Sequence, residues 1–275
     1  MLTRFIQSSR IPRHLKVALL ASAYPLFPAD KRKGVFMWHH GRCGSTVLGR
    51  ILNQHPAIRW RGEIYERYAE AGIPRPNFRD DLRYAQIECG RKLPGFELKG
   101  LPSQHLPTLG VTLHQFVETV REQGFSHCVF LDRRNTLRKL ISVQIVDQGL
   151  RKSYHMSDQE KGLTGRLRID PERVRIQGKY APLLDMIRHI DEETEKARNL
   201  VREYYDFLPL YYEDHIEADP LVAYREILAH LGLPAHDADV PLKRINVKTL
   251  QELVENHHEV EDLLAGTKYE WMLTH

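Results

Sequence analysis

The sequence predicts an α/β fold, a parallel sheet covered by helices on both faces in a three-layer arrangement. Three observations carry this. Short apolar runs at 35–40, 57–61, 96–99, 127–131 and 207–212 alternate with stretches of helical spacing, the pattern of strand–helix–strand crossovers. The runs at 35–38 and 128–131 are apolar on successive residues, as expected of strands buried on both faces. Arg42, Glu63, Lys99 and Arg134 fall at or just after predicted strand ends, where open parallel sheets bind their ligands.

The elements follow in order. Residues 1–33 form a basic leader with Arg4, Arg10, Arg13 and Lys16 ahead of a short apolar stretch at 17–23. It reads as a surface helix suited to peripheral contact with a membrane or a partner. Residues 34–275 read as a single α/β domain. After the first strand, Val47, Leu48, Ile51 and Leu52 have helical spacing, and His55-Pro56 ends that helix because the residue before proline avoids helical geometry. Residues 72–81 are a charged, proline-rich loop, and helices are expected over 81–91 and 113–123. Another helix follows Asn135. Residues 147–178 are polar, basic and glycine-containing, an excursion expected to be a mobile flap. A long amphipathic helix spans about 180–204. Asp219-Pro220 starts a helix closed by Gly232, and one final helix carries Leu250 to Leu264.

The first strand leads into His39-His40-Gly41-Arg42-Cys43-Gly44-Ser45-Thr46. A helix N-terminus has unpaired amides and a positive dipole end, so it draws anions. Gly41 and Gly44 permit a sharp turn, Arg42 adds a fixed cation, and Ser45 and Thr46 add hydroxyls. The pattern is a phosphate cradle without the Walker lysine, whose place is taken by Gly44.

Basic-x-Gly-[ST]-[ST] after a strand resembles the loop with which sulfotransferases hold the 5′-phosphate of 3′-phosphoadenosine 5′-phosphosulfate (PAPS). The run from Arg42 to Leu48, followed by Leu52-Asn53-Gln54-His55-Pro56, is similar to the carbohydrate branch of that P-loop-like family. The resemblance implies that Arg42, Cys43, Gly44, Ser45 and Thr46 bind the cofactor. It also implies that Arg134 and Ser142, eight residues apart, take the 3′-phosphate, with Arg133 a competitor. The segment Arg61-Gly62-Glu63-Ile64-Tyr65-Glu66 resembles the one that carries a glutamate base in trehalose-sulfotransferase-like and nodulation-type enzymes. Glu63 is then the general base, with Glu66 and His105 as alternatives. Lys99 matches a strand lysine that contacts leaving-group oxygens or caps the strand. The resemblance touches residues 35–142 and 207–273.

The implied activity is transfer of a sulfuryl group from PAPS to a hydroxyl, on a carbohydrate or glycolipid, with no metal. Two rivals remain: a nucleotide-dependent kinase and a non-catalytic nucleotide-binding adaptor. The charge balance, 40 basic against 36 acidic residues for a formal +4, argues against a nucleic-acid partner. Cys43, Cys89 and Cys128 are too few and too scattered for a disulfide framework, which suits the cytoplasm, with or without membrane association. The adjacent pairs His39-His40 and His257-His258 are expected to diverge and to hold no metal.

Overall fold

The computed structural model of the chain describes residues 15–16, 19, 22, 24–26, 33–150, 163, 165–176, 179–242 and 248–274. Its strands are β1 (Gly34–His39), β2 (Ile58–Trp60), β3 (Leu93–Lys99), β4 (Phe125–Asp132), β5 (Val174–Ile176), β6 (Lys179–Ala181) and β7 (Asp206–Tyr211). Five of them form one sheet in the order β2-β3-β1-β4-β7, every neighbour parallel. β5 and β6 pair separately as an antiparallel hairpin.

Alternation along β1 explains the layers. Successive side chains point to opposite faces, so Val35 and Met37 enter one apolar cluster and Phe36 and Trp38 the other. The first face is covered by α1 (Ser45–Leu52) and by α9 (Leu221–His230). The second is covered by α3 (Phe78–Cys89), α5 (Leu113–Glu122) and α7 (Leu183–Tyr204). All six residues of β1 are buried. Trp38 stacks on Phe130 of β4 at 4.1 Å and 6°. Short helices α2 (Glu66–Glu70), α4 (His105–Leu109) and α8 (Tyr212–His215) lie at the ends of the strands. A third cluster joins α6 (Thr136–Asp147) and α7 to α10 (Leu250–Leu253) and α11 (His257–Leu264).

This is the expected fold: a parallel sheet flanked by helices. β1 lies between β3 and β4, and the connection leaving β1 runs to β2 on one side while that leaving β4 runs to β7 on the other. The crevice at the carboxyl end of β1 is the topological switch point.

Two expectations change. The final helix is broken: Val254 is extended, and Leu167 pairs with it, accepting from the Glu255 amide and donating to the Leu253 carbonyl. The backbone partner is tertiary, so helical spacing alone does not reveal the break. That partner comes from the expected flap. Of the flap, residues 165–176 are described, and Leu167, Ile169 and Val174 are buried in the third cluster. The described part is therefore anchored on the core through these three apolar residues, while most of its other side chains are exposed. Residues 151–162 lie outside the described residues, as does nearly all of the basic leader. Of the leader, Tyr24 is buried and donates its hydroxyl to the Gln123 carbonyl. No helix among the described residues is long and apolar enough to cross a membrane.

Candidate functional site

The loop from β1 to α1 has three residues with left-handed backbone: Gly41 (φ 83°), Arg42 (φ 59°) and Gly44 (φ 86°). For Arg42 that conformation costs on the order of 1 kcal/mol or more, and it persists only where the surroundings over-determine it. They do. His39 Nδ1 accepts the Gly41 amide at 3.0 Å, and Arg133 donates to the Arg42 carbonyl at 3.1 Å. The Arg42 guanidinium donates from Nε and Nη2 to Ser142 Oγ at 2.9 and 2.8 Å. Gly44 is required twice over, because a Cβ there would sit 2.6 Å from Ile216 Cγ2. As N-cap it offers no side-chain acceptor, so no side-chain cap competes with an anion at the start of α1.

Ser45 is the first residue placed differently from expectation. It is buried, and its hydroxyl donates to Glu97 beneath the loop rather than facing the cradle. Glu97 also accepts Trp60 Nε1–H at 2.7 Å and lies 3.4 Å from His39 Nε2. Burial opposes its charge, but these donors outweigh burial and hold the carboxylate below its usual range. Gly49 lets α1 approach this group, since a Cβ would meet Glu97 Oε1 and the Trp60 ring at 2.8 Å. Cys43 is buried, and Thr46 is half-buried.

Glu63, just past β2, lies 2.8 Å from Lys99 Nζ and 3.8 Å from His39 Nε2. Lys99 also pairs with Glu66 at the start of α2, and its stem passes beside Gly41. Burial opposes the Lys99 charge, but Glu63 and Glu66 outweigh it and raise its pKa. His105, the alternative base, starts α4. It is buried, its Nδ1 accepts the Lys99 amide at 3.1 Å, and its Nε2 meets Glu66 at 2.7 Å. Burial raises the Glu66 pKa, yet His105 and Lys99 prevail and bring it down to about 2. A cleft of about 590 Å³, lined by Asn53, Trp60, Arg61, Glu63, Glu66 and Arg67 among others, opens beside these carboxylates.

The second predicted anchor is only partly assembled. Ser142 faces Arg42, whereas the Arg134 guanidinium pairs with Asp214 and stacks 4.2 Å over Tyr211. The backbone amides of Arg134 and Asn135 donate to the Glu213 carboxylate at 3.2 and 3.0 Å. A carboxylate of the chain thus takes the amides just ahead of α6, whose N-cap is Asn135, its side chain accepting from the Arg138 amide. Arg133 stacks 4.4 Å over Tyr212 and holds the loop carbonyl, so its role is structural support of Arg42.

Two groups escaped the sequence reading. Lys139 on α6 is fully buried and its Nζ has no hydrogen-bond partner. Burial lowers its pKa to about 7, with Cys43 of the loop among the groups opposing that shift. Asp132, at the end of β4, meets His40 Nε2 at 2.7 Å and Arg198 Nη2 at 2.6 Å. Burial opposes its charge, but His40 and Arg198 bring its pKa down to about 2. Burial, with Lys139 nearby, lowers His40 to about 4, so the ring is neutral. The one signal available was Lys139 itself, a lysine among the apolar positions of a helix. The adjacent histidines diverge as expected, His39 toward β3 and His40 toward β4. His257 and His258 do not, their rings lying 3.9 Å apart at the start of α11.

No protein-family profile matches the chain, and no curated protein matches it. Among solved structures, it is similar to a sulfotransferase from Alicyclobacillus acidocaldarius, with 11% identity and a TM-score of 0.46. That likeness covers 88% of this chain and 95% of the other. It is also similar to sulfotransferase STF1 from Mycobacterium tuberculosis H37Rv, with 15% identity and a TM-score of 0.44, over 82% of this chain and 76% of that one. Likenesses this distant carry no argument about the reaction, which has to come from the site.

Proposed function

We propose that this protein is a PAPS-dependent sulfotransferase acting on a hydroxyl of a carbohydrate or glycolipid. One observation carries the reading. The Arg42 guanidinium, on the loop after β1, reaches Ser142 of α6, so two anion-binding segments a hundred residues apart in sequence meet at the switch point. The carboxylate of Glu63 stands beside them, through Lys99.

The donor's 5′-phosphosulfate would lie against Arg42 and the amides of Gly44, Ser45 and Thr46. Ser45 contributes its amide only, because its hydroxyl is committed to Glu97. Arg134 and Ser142 would take the 3′-phosphate, which requires Arg134 to exchange Asp214 for it. The acceptor oxygen attacks sulfur, the sulfur–oxygen bond to the phosphate breaks, and the acceptor proton passes to Glu63. Charge developing on the leaving phosphate oxygen is met by prearranged donors, Arg42 and Lys99.

The choice of base follows from hydrogen bonding. Both nitrogens of His105 are engaged, which leaves no lone pair for an acceptor proton. Glu66 is held deprotonated to about pH 2 by His105 and Lys99, too weak a base for the task. Glu63 borders the open cleft and carries fewer fixed donors.

The experiment is a thermal-shift comparison of adenosine 3′,5′-bisphosphate with Mg-ATP, followed by incubation with labelled PAPS and a panel of glycans and glycolipids. Stabilisation by the bisphosphate and label transfer are the expected results. Stabilisation by ATP alone would favour a kinase, and bisphosphate binding with no transfer to any acceptor would favour an adaptor.

A further inference from the structure

At the amino ends of β4 and the edge strand β7, the end of the sheet opposite the cradle, three potential metal ligands converge. Parallel pairing sets His127 of β4 directly beside Asp206 of β7. α9 returns across these strands and ends at His230. His127 Nδ1 lies 3.1 Å from Asp206 Oδ2, and His230 Nε2 lies 3.9 Å from Asp206 Oδ1. One ligand atom from each residue falls within 4.8 Å of the others. The two imidazole rings stand 5.3 Å apart and nearly perpendicular.

We propose that His127, Asp206 and His230 form a binding site for a first-row divalent cation of the zinc type, which staples the edge strand β7 and α9 to β4.

Four features support it. His127 Nδ1 and His230 Nε2 are both buried and neither makes a well-formed hydrogen bond: His127 Nδ1 lies 3.1 Å from Asp206, and His230 Nε2 lies 3.9 Å from it, too far for one. A buried polar atom left this way is costly, and a cation supplies the missing partner to both at once. The donor set, two imidazoles and one carboxylate, suits zinc and its neighbours rather than calcium or magnesium. Asp206 is 60% exposed, so solvent can supply the remaining ligand. The carbonyl end of α9, where His230 sits, also favours a positive charge.

Three other groupings of comparable geometry serve less well. In the one formed by His39, Glu63 and Glu97, Glu63 pairs with the Lys99 ammonium and Glu97 already accepts from Trp60 and Ser45. The one formed by Glu63, Glu66 and His105 already holds the Lys99 ammonium. The one formed by His257, His258 and Glu261 includes an exposed histidine on the first turn of a short helix.

The test uses the full chain, stripped of metal with a chelator and titrated with Co²⁺ and with Zn²⁺. The expected result is one equivalent of Co²⁺ giving the intense visible bands of low-coordinate cobalt, and a rise in melting temperature with Zn²⁺. In H127Q and H230Q the bands should vanish, and Zn²⁺ affinity should fall by more than the roughly 10–100-fold that loss of an outer-shell partner causes. Asp206→Asn, at an exposed position, is the variant to rely on if either histidine variant folds poorly, and it should weaken binding likewise. The double variant H257A/H258A should leave binding unchanged. Cobalt bands that survive in H127Q/H230Q, or a folded chain that Zn²⁺ neither binds nor stabilises, would overturn the proposal.

Discussion

The two segments proposed to hold the donor's phosphates are built in opposite ways. The β1–α1 loop is strained, glycine-dependent and locked from below by His39, Arg133 and Ser142, and no side chain of its own caps the start of α1. The β4–α6 segment is relaxed and self-satisfied. Its amides are capped by Glu213, and its leading arginine is half-exposed and paired with Asp214. The difference teaches a division of labour. The first segment is preorganised, so little reorganisation is left to do when charge develops in the transition state. On the proposed function, the second would have to trade a carboxylate for a ligand, and so would contribute recognition at a reduced net gain.

The contrast can be broken or sharpened by four measurements. The largest effect is expected for Glu63→Gln, which keeps shape but cannot accept a proton as a carboxylate does. Turnover should fall roughly 10²–10⁴-fold, the span of a general base, while bisphosphate binding is retained. Glu66→Gln should be much milder. Near-normal turnover in Glu63→Gln would remove the base from beside the preorganised loop.

Next is Arg134→Ala, which should weaken adenosine 3′,5′-bisphosphate far more than the analogue without the 3′-phosphate, by about 1.5–3 kcal/mol for a lost charge-assisted contact. Calorimetry on both ligands decides it, and equal losses would sink the 3′-phosphate assignment. Asp214→Asn should act in the opposite direction and tighten the bisphosphate selectively, because it frees Arg134 from its competitor.

Gly44→Ala should cost about 1–3 kcal/mol in denaturant unfolding, from left-handed backbone and the Ile216 clash together. Gly62, also at positive φ but with open space around it, is the matched control: Gly62→Ala should cost only the backbone part, about 1–2 kcal/mol. If the two variants cost the same, the loop is not held by its surroundings.

The smallest effect concerns Lys139, which burial lowers from its ordinary 10.5 to about 7. Between those values the unfolded chain holds the extra proton, so this residue makes stability rise with pH across that window and adds no slope below about 7. An anion in the cradle favours the charged amine. Binding the bisphosphate near pH 8 should therefore take up as much as about one proton, and affinity should fall as pH rises above 7. Calorimetry in buffers of different ionisation enthalpy measures this uptake, and Lys139→Met should abolish it. Uptake unchanged in Lys139→Met would assign the proton elsewhere.

Much of this protein was determined by its sequence alone. Apolar runs placed the five strands of the main sheet, most plainly β1 and β4, whose consecutive apolar residues are covered on both faces. The glycines at 41 and 44 marked the left-handed loop, because few other residues tolerate that backbone. The strand-end positions of Arg42, Glu63 and Lys99 pointed to one crevice, because topology gathers strand ends there. Only the tertiary structure decided what each side chain does within that frame. Ser45 turns from the cradle to Glu97, Arg134 pairs with Asp214, Leu167 breaks the last helix at Val254, and Lys139 loses its partner. Each outcome depends on a group lying roughly fifty to ninety positions away in sequence, or, for Lys139, on burial alone. Local periodicity contains backbone conformation and the direction of each side chain, but not the identity of the distant group it meets, and that identity sets charge, hydrogen bonding and reactivity.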